Sequence, residues 1–381
     1  SDNERAQKSQ KMVLELLMSD QPEQSYTLDN ELTHWAKKLE IGKPRFKARH
    51  QPKADLSHSA IAVNLDACIQ CTRCVRACRE TQVNDVIGFA KRGHHAEIVF
   101  DIGDAMGDSS CVACGECVAA CPTGALSNAT GAHQIEADRK VDSVCPYCGV
   151  GCLLTYHVKN DKIVRVEGRD GPANFSRLCV KGRYGFDYVN HKQRLLKPLI
   201  RKEGIPKGIN EHFDPSDPSK MFREATWEEA MALTIGGLKK VKDKLGGSGL
   251  AGFGSAKGSN EEAYLFQKLI RVGFGTNNVD HCTRLCHASS VMALLEGVGS
   301  GAVSNQVEDV KEAEVIFVIG SNPTTNHPVA ATFMKNAIKQ GKKLILLDPR
   351  RTEIARHAEH FLQFKASTDV SLLNSILHAI I

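Results

Sequence analysis

The sequence predicts a multidomain chain of mixed α/β and α+β class, and three observations carry that prediction. A cysteine run of the form CxxCxxCxxxC occurs twice, at Cys68–Cys78 and at Cys111–Cys121. A third run, Cys145-Pro-Tyr-Cys148-Gly-Val-Gly-Cys152, is completed by the remote Cys179. Beyond residue 226, apolar segments of strand length alternate with amphipathic segments of helix length. Strands so apolar are buried on both faces, which calls for a mostly parallel, Rossmann-like sheet covered by helices. The resulting plan is a helical arm at 1–58, a duplicated cysteine domain at 59–131, a small β-rich domain at 132–195 and an α/β domain at 196–381.

Composition narrows the function. A chain of 381 residues is long enough for two or three domains with real cores. The net charge of +5 is small and spread along the chain, so it gives no nucleic-acid signal. No apolar run approaches the roughly 20 residues that span a bilayer, and no export signal is present. The 14 cysteines are clumped rather than scattered, which favours a reducing cytoplasm over a disulfide framework. The chain begins with Ser1 rather than Met and ends inside an apolar pattern, as expected of a fragment with both flanks missing.

In the arm, Met12–Met18 repeats its apolar positions at three and four, which predicts an amphipathic helix. No cysteine precedes Cys68, so the arm reads as a strap packed on a larger body.

The duplicated run has the spacing of a two-cluster bacterial ferredoxin, in which the fourth cysteine of each run crosses to the other cluster. The expected [4Fe-4S] ligand sets are Cys68, Cys71, Cys74 with Cys121, and Cys111, Cys114, Cys117 with Cys78. Doubling so specific a spacing disfavours zinc. Arg79 stands where proline is usual, and the residues between the runs read as an inserted loop. His94 and His95 fall in that loop and read as ordinary exposed histidines, because all eight thiolates are already present.

In the next domain, three thiolates within eight residues and a distant fourth suit the corners of another [4Fe-4S] cube, Cys145, Cys148, Cys152 and Cys179. A structural zinc is the competing reading, but zinc usually takes two CxxC knuckles. Leu153–Gly168 alternates and turns at Asn160-Asp161, a hairpin signal.

The last domain opens with a Pro- and Gly-rich surface loop over about 196–222. A helix follows over Trp227–Leu245, with Thr226 as N-cap and Glu229 completing a capping box. Strands are expected at Leu250–Ser255, Val315–Gly320 and Leu344–Leu347, with helices at Asn260–Val272 and Val329–Gln340. Ligands of such sheets sit beyond the carboxyl ends of strands. Three segments qualify: 254–260, 320–327 and 348–351. The turns at Gly320–Pro323 and Asp348–Arg350 offer backbone NH groups, a carboxylate and a guanidinium to a nucleotide, although plain structural loops remain the competing reading. The absence of GxGxxG argues against an ordinary NAD site.

Once twelve cysteines are assigned, Cys282 and Cys286 remain. A cysteine of this kind is often a small buried hydrophobe. His287 and Arg284 favour a thiolate at Cys286, and a soft thiolate on a redox metal would end a chain of clusters.

With these residues assembled, the chain resembles the molybdopterin oxidoreductases, and within them the N-terminal part of the catalytic α subunit of a molybdenum or tungsten formate dehydrogenase. The resemblance runs from about residue 59 onward. It rests on CPYCGVGC with Leu178-Cys-Val-Lys-Gly-Arg183, on Gly275–Asp280, Cys282–His287 and Gly299–Asn305, and on the Gly320 and Asp348 turns. It implies a bis-molybdopterin guanine dinucleotide with molybdenum or tungsten, Cys286 as metal ligand and His287 beside the substrate. By the same resemblance Lys181 would lie between the third cluster and a pterin, and Gly320, Asn322, Asp348 and Arg350 would contact one guanine dinucleotide. The implied reaction is oxidation of formate to CO2 by hydride transfer to the oxidised metal. Electrons would leave through three [4Fe-4S] clusters to a flavin-bearing, NAD-reducing subunit or a ferredoxin.

The sequence also departs from that family. It shows neither the additional His/Cys cluster on the arm nor a preceding [2Fe-2S] domain, and the family's catalytic arginine lies beyond residue 381. A chain ending there is expected to bind the paired cofactor incompletely and to be inactive alone. Two other readings stay open: a non-catalytic electron-transfer subunit with the same scaffold, and a nitrate reductase of the same family. Retention of the Cys286-His287 pair opposes the first, and the same pairing favours formate over the second.

Overall fold

The computed structural model describes residues 3–49, 51–208, 214 and 216–381, the side chain of His94 apart. Their contacts form two units, one of residues up to Asp187 together with Asn305–Ile381, the other of Tyr188–Ser304.

The first unit begins with α1 (Glu4–Met18), where the Asn3 side chain accepts the Ala6 NH and so satisfies an end donor. No residue of α1 is buried, and its hold on the arm includes the Glu15–Arg45 pair at 2.7 Å. Helix α2 (Glu31–Lys38) is capped by Asn30 and buries Leu32 and Ala36, four residues apart on one face.

The duplicated region comprises β1 (Ile61–Val63), α3 (Arg73–Arg76), β2 (Ile87–Ala90), β3 (Glu97–Phe100), α4 (Glu116–Ala120) and β4 (Leu126–Asn128). β1 pairs antiparallel with β4, joining the start of one half to the end of the other. The inserted stretch is not a bare loop, because β2 and β3 form an antiparallel pair. Ile87, Ile98 and Phe100 anchor that pair in a core shared with Ile61, Met106 and Leu126.

Strands β5 (Arg139–Val144), β6 (Leu153–Lys159) and β7 (Lys162–Gly168) form an antiparallel meander. Its second turn has Asn160 at φ 49° and Asp161 at φ 57°. Two successive left-handed residues make the type I′ turn whose twist matches the flanking strands. The five-residue α5 (Val180–Tyr184) follows.

In the second unit, β8 (Leu199–Arg201), inside the stretch expected to be surface loop, pairs antiparallel with β9 (Phe222–Glu224), which begins at the end of that stretch. Residues 209–213 and 215 of that stretch lie outside the described residues. Helix α6 (Trp227–Leu245) has Thr226 accepting the Glu229 NH at 3.2 Å. The Glu229 carboxylate instead takes Arg223, at 3.1 Å, so half of the expected capping box is replaced by an ion pair. Next come β10 (Gly252–Gly254), α7 (Asn260–Lys268), β11 (Val279–His281), α8 (Thr283–Cys286) and α9 (Ala288–Val298), with β10 parallel to β11. The buried strand expected at 250–255 is thus shorter, and Phe253 within it is 83% exposed.

Back in the first unit, β12 (Val315–Ile319), α10 (Pro323–Asn326), α11 (Pro328–Lys339), β13 (Lys343–Leu347), β14 (His360–Leu362) and α12 (Asp369–Ile380) complete the chain. β12, β13 and β14 form a parallel sheet. Ile316, Val318, Leu344 and Leu346 pack with Ala337 of α11. Val315 and Phe317 face out, so β12 is buried on one face rather than two.

Candidate metal centres

The repeat in sequence becomes a repeat in conformation. Gln70 and Thr72 have φ of 56° and 59°, and their counterparts Ala113 and Gly115 have 54° and 70°. These left-handed steps wrap the chain tightly, so that the Gln70 NH meets Cys68 Sγ at 3.4 Å and the Ala113 NH meets Cys111 Sγ at 3.3 Å. α3 and α4 then start directly after the second left-handed residue in each half, Thr72 and Gly115. The fourth cysteines receive NH groups too, Val86 to Cys78 and Leu126 to Cys121, both at 3.4 Å.

The sulfurs gather across the halves. Cys68, Cys71, Cys74 and Cys121 line one cavity with Leu65, Ile98 and Leu126. Cys117 lies within electrostatic reach of Cys114, Cys111 and Cys78, and of Cys74 from the other set. Cys145, Cys148, Cys152 and Cys179 line a second cavity with Tyr147, Leu178 and Val329. There the Cys145 NH donates to the Cys152 carbonyl at 2.9 Å, and Gly151, at φ 68°, turns the loop. Gly182 lies close against this loop: a Cβ there would stand in ordinary contact, 3.6 Å, with Cys145 Sγ and 3.3 Å from a Leu178 methyl carbon.

Among the described residues no group of three or more His, Cys, Asp or Glu side chains is placed to hold a single metal ion. A zinc would require sulfurs about 2.3 Å from one point. The sets enclose volumes instead, with NH groups turned to sulfur, an arrangement that fits a cube held at its corners. Burial pushes the thiols of Cys74, Cys114 and Cys152 up to about 12. Loading a cationic core must therefore displace their protons.

Helix α5 ties the third set to its surroundings. Lys181 lies within electrostatic reach of Cys145 and donates to the Thr325 carbonyl in α10 at 3.4 Å. Gly320, at φ 59°, ends β12 and donates its NH to the Leu347 carbonyl. The Asn322 side chain donates to Thr325 and accepts from Thr324. Asp348, at the end of β13, is buried and accepts the Arg350 NH at 2.7 Å, while the Arg350 side chain is exposed. All four residues stand beyond the carboxyl ends of neighbouring parallel strands, where such sheets take ligands.

Sequence reasoning missed the polar centre of this unit. Arg183 donates to the Cys114 carbonyl at 2.8 Å and to the Glu116 carboxylate at 2.6 Å, and both side chains are buried. Gln82 donates to Glu116 and to the Leu178 carbonyl. Lys335 of α11 is buried with acceptors from Gln82, Val83 and Asn84, and burial holds its ammonium down to about 8. A charge in a linear sequence reads as solvent-facing, so the spacing of the chain gave no sign of this burial.

In the second unit, Cys286 ends α8 and His287 begins α9. Both remaining cysteines are exposed, so neither is a packing residue. The Ala256 NH meets Cys282 Sγ at 3.3 Å. Arg284 binds Asp280 at 3.0 Å, so the help to a Cys286 thiolate expected from its charge is spent largely on a carboxylate. A cavity lined by Phe253, Ser255, Glu262, Asp280 and His281 opens at the carboxyl ends of β10 and β11.

Three family profiles match the chain: 4Fe-4S dicluster domain over 67–125, molybdopterin oxidoreductase Fe4S4 domain over 138–191 and molybdopterin oxidoreductase over 194–381. A Bacillus subtilis (strain 168) protein, YjgC, provisionally named an oxidoreductase, is 34% identical over 91% of this chain and 38% of its own length. A Staphylococcus haemolyticus (strain JCSC1435) protein, provisionally named a formate dehydrogenase, is 34% identical over 83% of this chain and 35% of its own length. The chain therefore spans little more than a third of the relatives it matches. Acetylene hydratase from Pelobacter acetylenicus aligns over 62% of this chain and 32% of its own, with 24% identity and a TM-score of 0.48, a likeness too partial to bear on function.

Proposed function

Because the chain belongs to the molybdopterin oxidoreductase family, with its 4Fe-4S domain, we propose that it is part of the catalytic subunit of a formate dehydrogenase. The reaction would be oxidation of formate to CO2 with release of one proton and two electrons, and three [4Fe-4S] clusters, held by the twelve cysteines, would supply single-electron carriers towards an acceptor subunit or a ferredoxin. The observation that carries the reading is the crossed gathering of cysteines into sets of four, with Cys286 left exposed beside His287.

A molybdenum or tungsten ion with paired guanine dinucleotides supplies, when bound, a centre that takes two electrons at once. Cys286 offers that metal its thiolate, and His287 is placed one residue on to orient formate or receive its proton. Gly320 and Asn322 present a tight turn to one dinucleotide, and Arg350 offers a guanidinium to its phosphates. Asp348, by accepting the Arg350 NH, holds that turn in shape. Lys181 sets a positive charge beside Cys145, where it lowers the cost of placing an electron on the third cluster. The twelve thiolates bind the cubes, and the NH groups on Cys68, Cys78, Cys111 and Cys121 offset the added negative charge of reduction.

Formate-dependent reduction of a viologen dye by the metal-loaded complete subunit, of which this chain is part, tests the reading. Cys286→Ala should abolish it while leaving the iron content intact; full activity in that variant would refute the assignment.

A further inference from the structure

We propose that Tyr184 donates a hydrogen bond to the sulfur face of the cluster held by Cys78, Cys111, Cys114 and Cys117, and thereby raises the reduction potential of that cluster above what its cysteines alone would set. The inference rests on the cluster assignment made above.

Tyr184 ends α5, the helix that starts at Cys179 of the third set. Five residues of helix rise about 7.5 Å, so one short element runs from a ligand of one cube to the neighbourhood of the next. The Tyr184 hydroxyl is buried and has no hydrogen-bond partner among the described residues. Its position is fixed closely by Gly115, whose Cβ, were there one, would stand 2.5 Å from the hydroxyl oxygen. Gly115 lies between Cys114 and Glu116, inside the second cysteine run. The ring packs on the core that contains Cys78 and Cys117, as does Cys111. The hydroxyl is within electrostatic reach of the sulfurs of Cys117, Cys114 and Cys111.

The neighbouring polar side chains are engaged with one another. Arg183 has the Cys114 carbonyl and Glu116, while Glu116 and the Leu178 carbonyl take Gln82. A buried hydroxyl is costly without an acceptor, and phenylalanine would fill the same space without that cost. The sulfurs of Cys117, Cys114 and Cys111 are acceptors within electrostatic reach of the hydroxyl. A donor to cluster sulfur favours the reduced, more negative state and moves the potential upward.

The test is a redox titration of the anaerobically purified, cluster-loaded protein, followed by EPR, on wild type and Tyr184→Phe. The expected result is that one midpoint moves to a more negative potential, that it belongs to the cluster whose signal Cys114→Ser alters, and that the other two stay in place at unchanged iron content. Three unshifted midpoints, or a shift in either other cluster, would overturn the proposal. Should Tyr184→Phe lose iron, 3-fluorotyrosine at position 184, a stronger donor of the same shape, must raise that midpoint, and an unmoved midpoint again overturns it. A wild-type protein without iron would fail the cluster assignment itself, which separates that failure from this one.

Discussion

Thr72 and Gly115 occupy the same step of the repeat and the same left-handed backbone, yet they differ in what surrounds them. For a β-branched residue that conformation costs roughly 1–2 kcal/mol, which glycine avoids at an entropic cost of about 0.5–1 kcal/mol. Thr72→Gly should therefore stabilise by up to about 1 kcal/mol, read as a higher urea midpoint in the loaded protein. Gly115→Ala should act in the opposite sense, because its Cβ would meet Arg183 Cδ at 2.2 Å and the Tyr184 hydroxyl at 2.5 Å. Arg183 cannot yield freely while it holds Cys114 and Glu116. Loss of more than about 2 kcal/mol, with a cube's worth of iron, is expected and is checked by iron analysis. Arg183→Met should cost more, about 3–5 kcal/mol, since it leaves the Glu116 carboxylate buried without its cation. At this scale the sequence displayed the cysteines plainly, through spacing alone. It concealed Gln82, Glu116, Arg183 and Lys335, because burial of a charge is decided by partners distant in the chain.

Among elements, the legible ones were those whose pattern is local. Helix α6 occupies the predicted span, and the Asn160-Asp161 turn joins β6 to β7 as its residue types require. β5 escaped notice because Arg139–Val144 is largely exposed, held by pairing with β6 rather than by an apolar face of its own. β14, three residues long, likewise owes its form to β13. The β2–β3 pair hides in four-residue strands, where alternation is too brief to register. The type I′ turn gives a prediction at this scale. Asp161→Gly removes a left-handed penalty of about 1 kcal/mol and forfeits an exposed ion pair with Arg139 that contributes at most about 1 kcal/mol. Stability should change by less than about 1 kcal/mol, and the pair's share should appear as a salt dependence present in wild type and lost in the variant.

At the scale of the molecule, the first unit joins residues far apart in the chain, with Lys335 and Lys339 of α11 reaching the stretch between the two cysteine runs. Its polar burial makes it sensitive to acid. Burial, with Arg165 near by, holds His133 down from 6.5 to about 4. Between those values the unfolded chain takes up a proton that the folded chain refuses, so stability is present above the unfolded value and falls as pH drops through the window. The full effect is at most about 3 kcal/mol. Burial lowers His157 as well, and it acts in the same direction. Urea midpoints measured from pH 7 to pH 4 should fall, and His133→Gln should flatten part of that slope. The central claim is that three sets of four cysteines hold cubes rather than single ions, and elemental analysis of the anaerobically purified protein tests it most directly. About twelve irons per chain, matched by acid-labile sulfide, are predicted; stoichiometric zinc in place of iron would contradict the account.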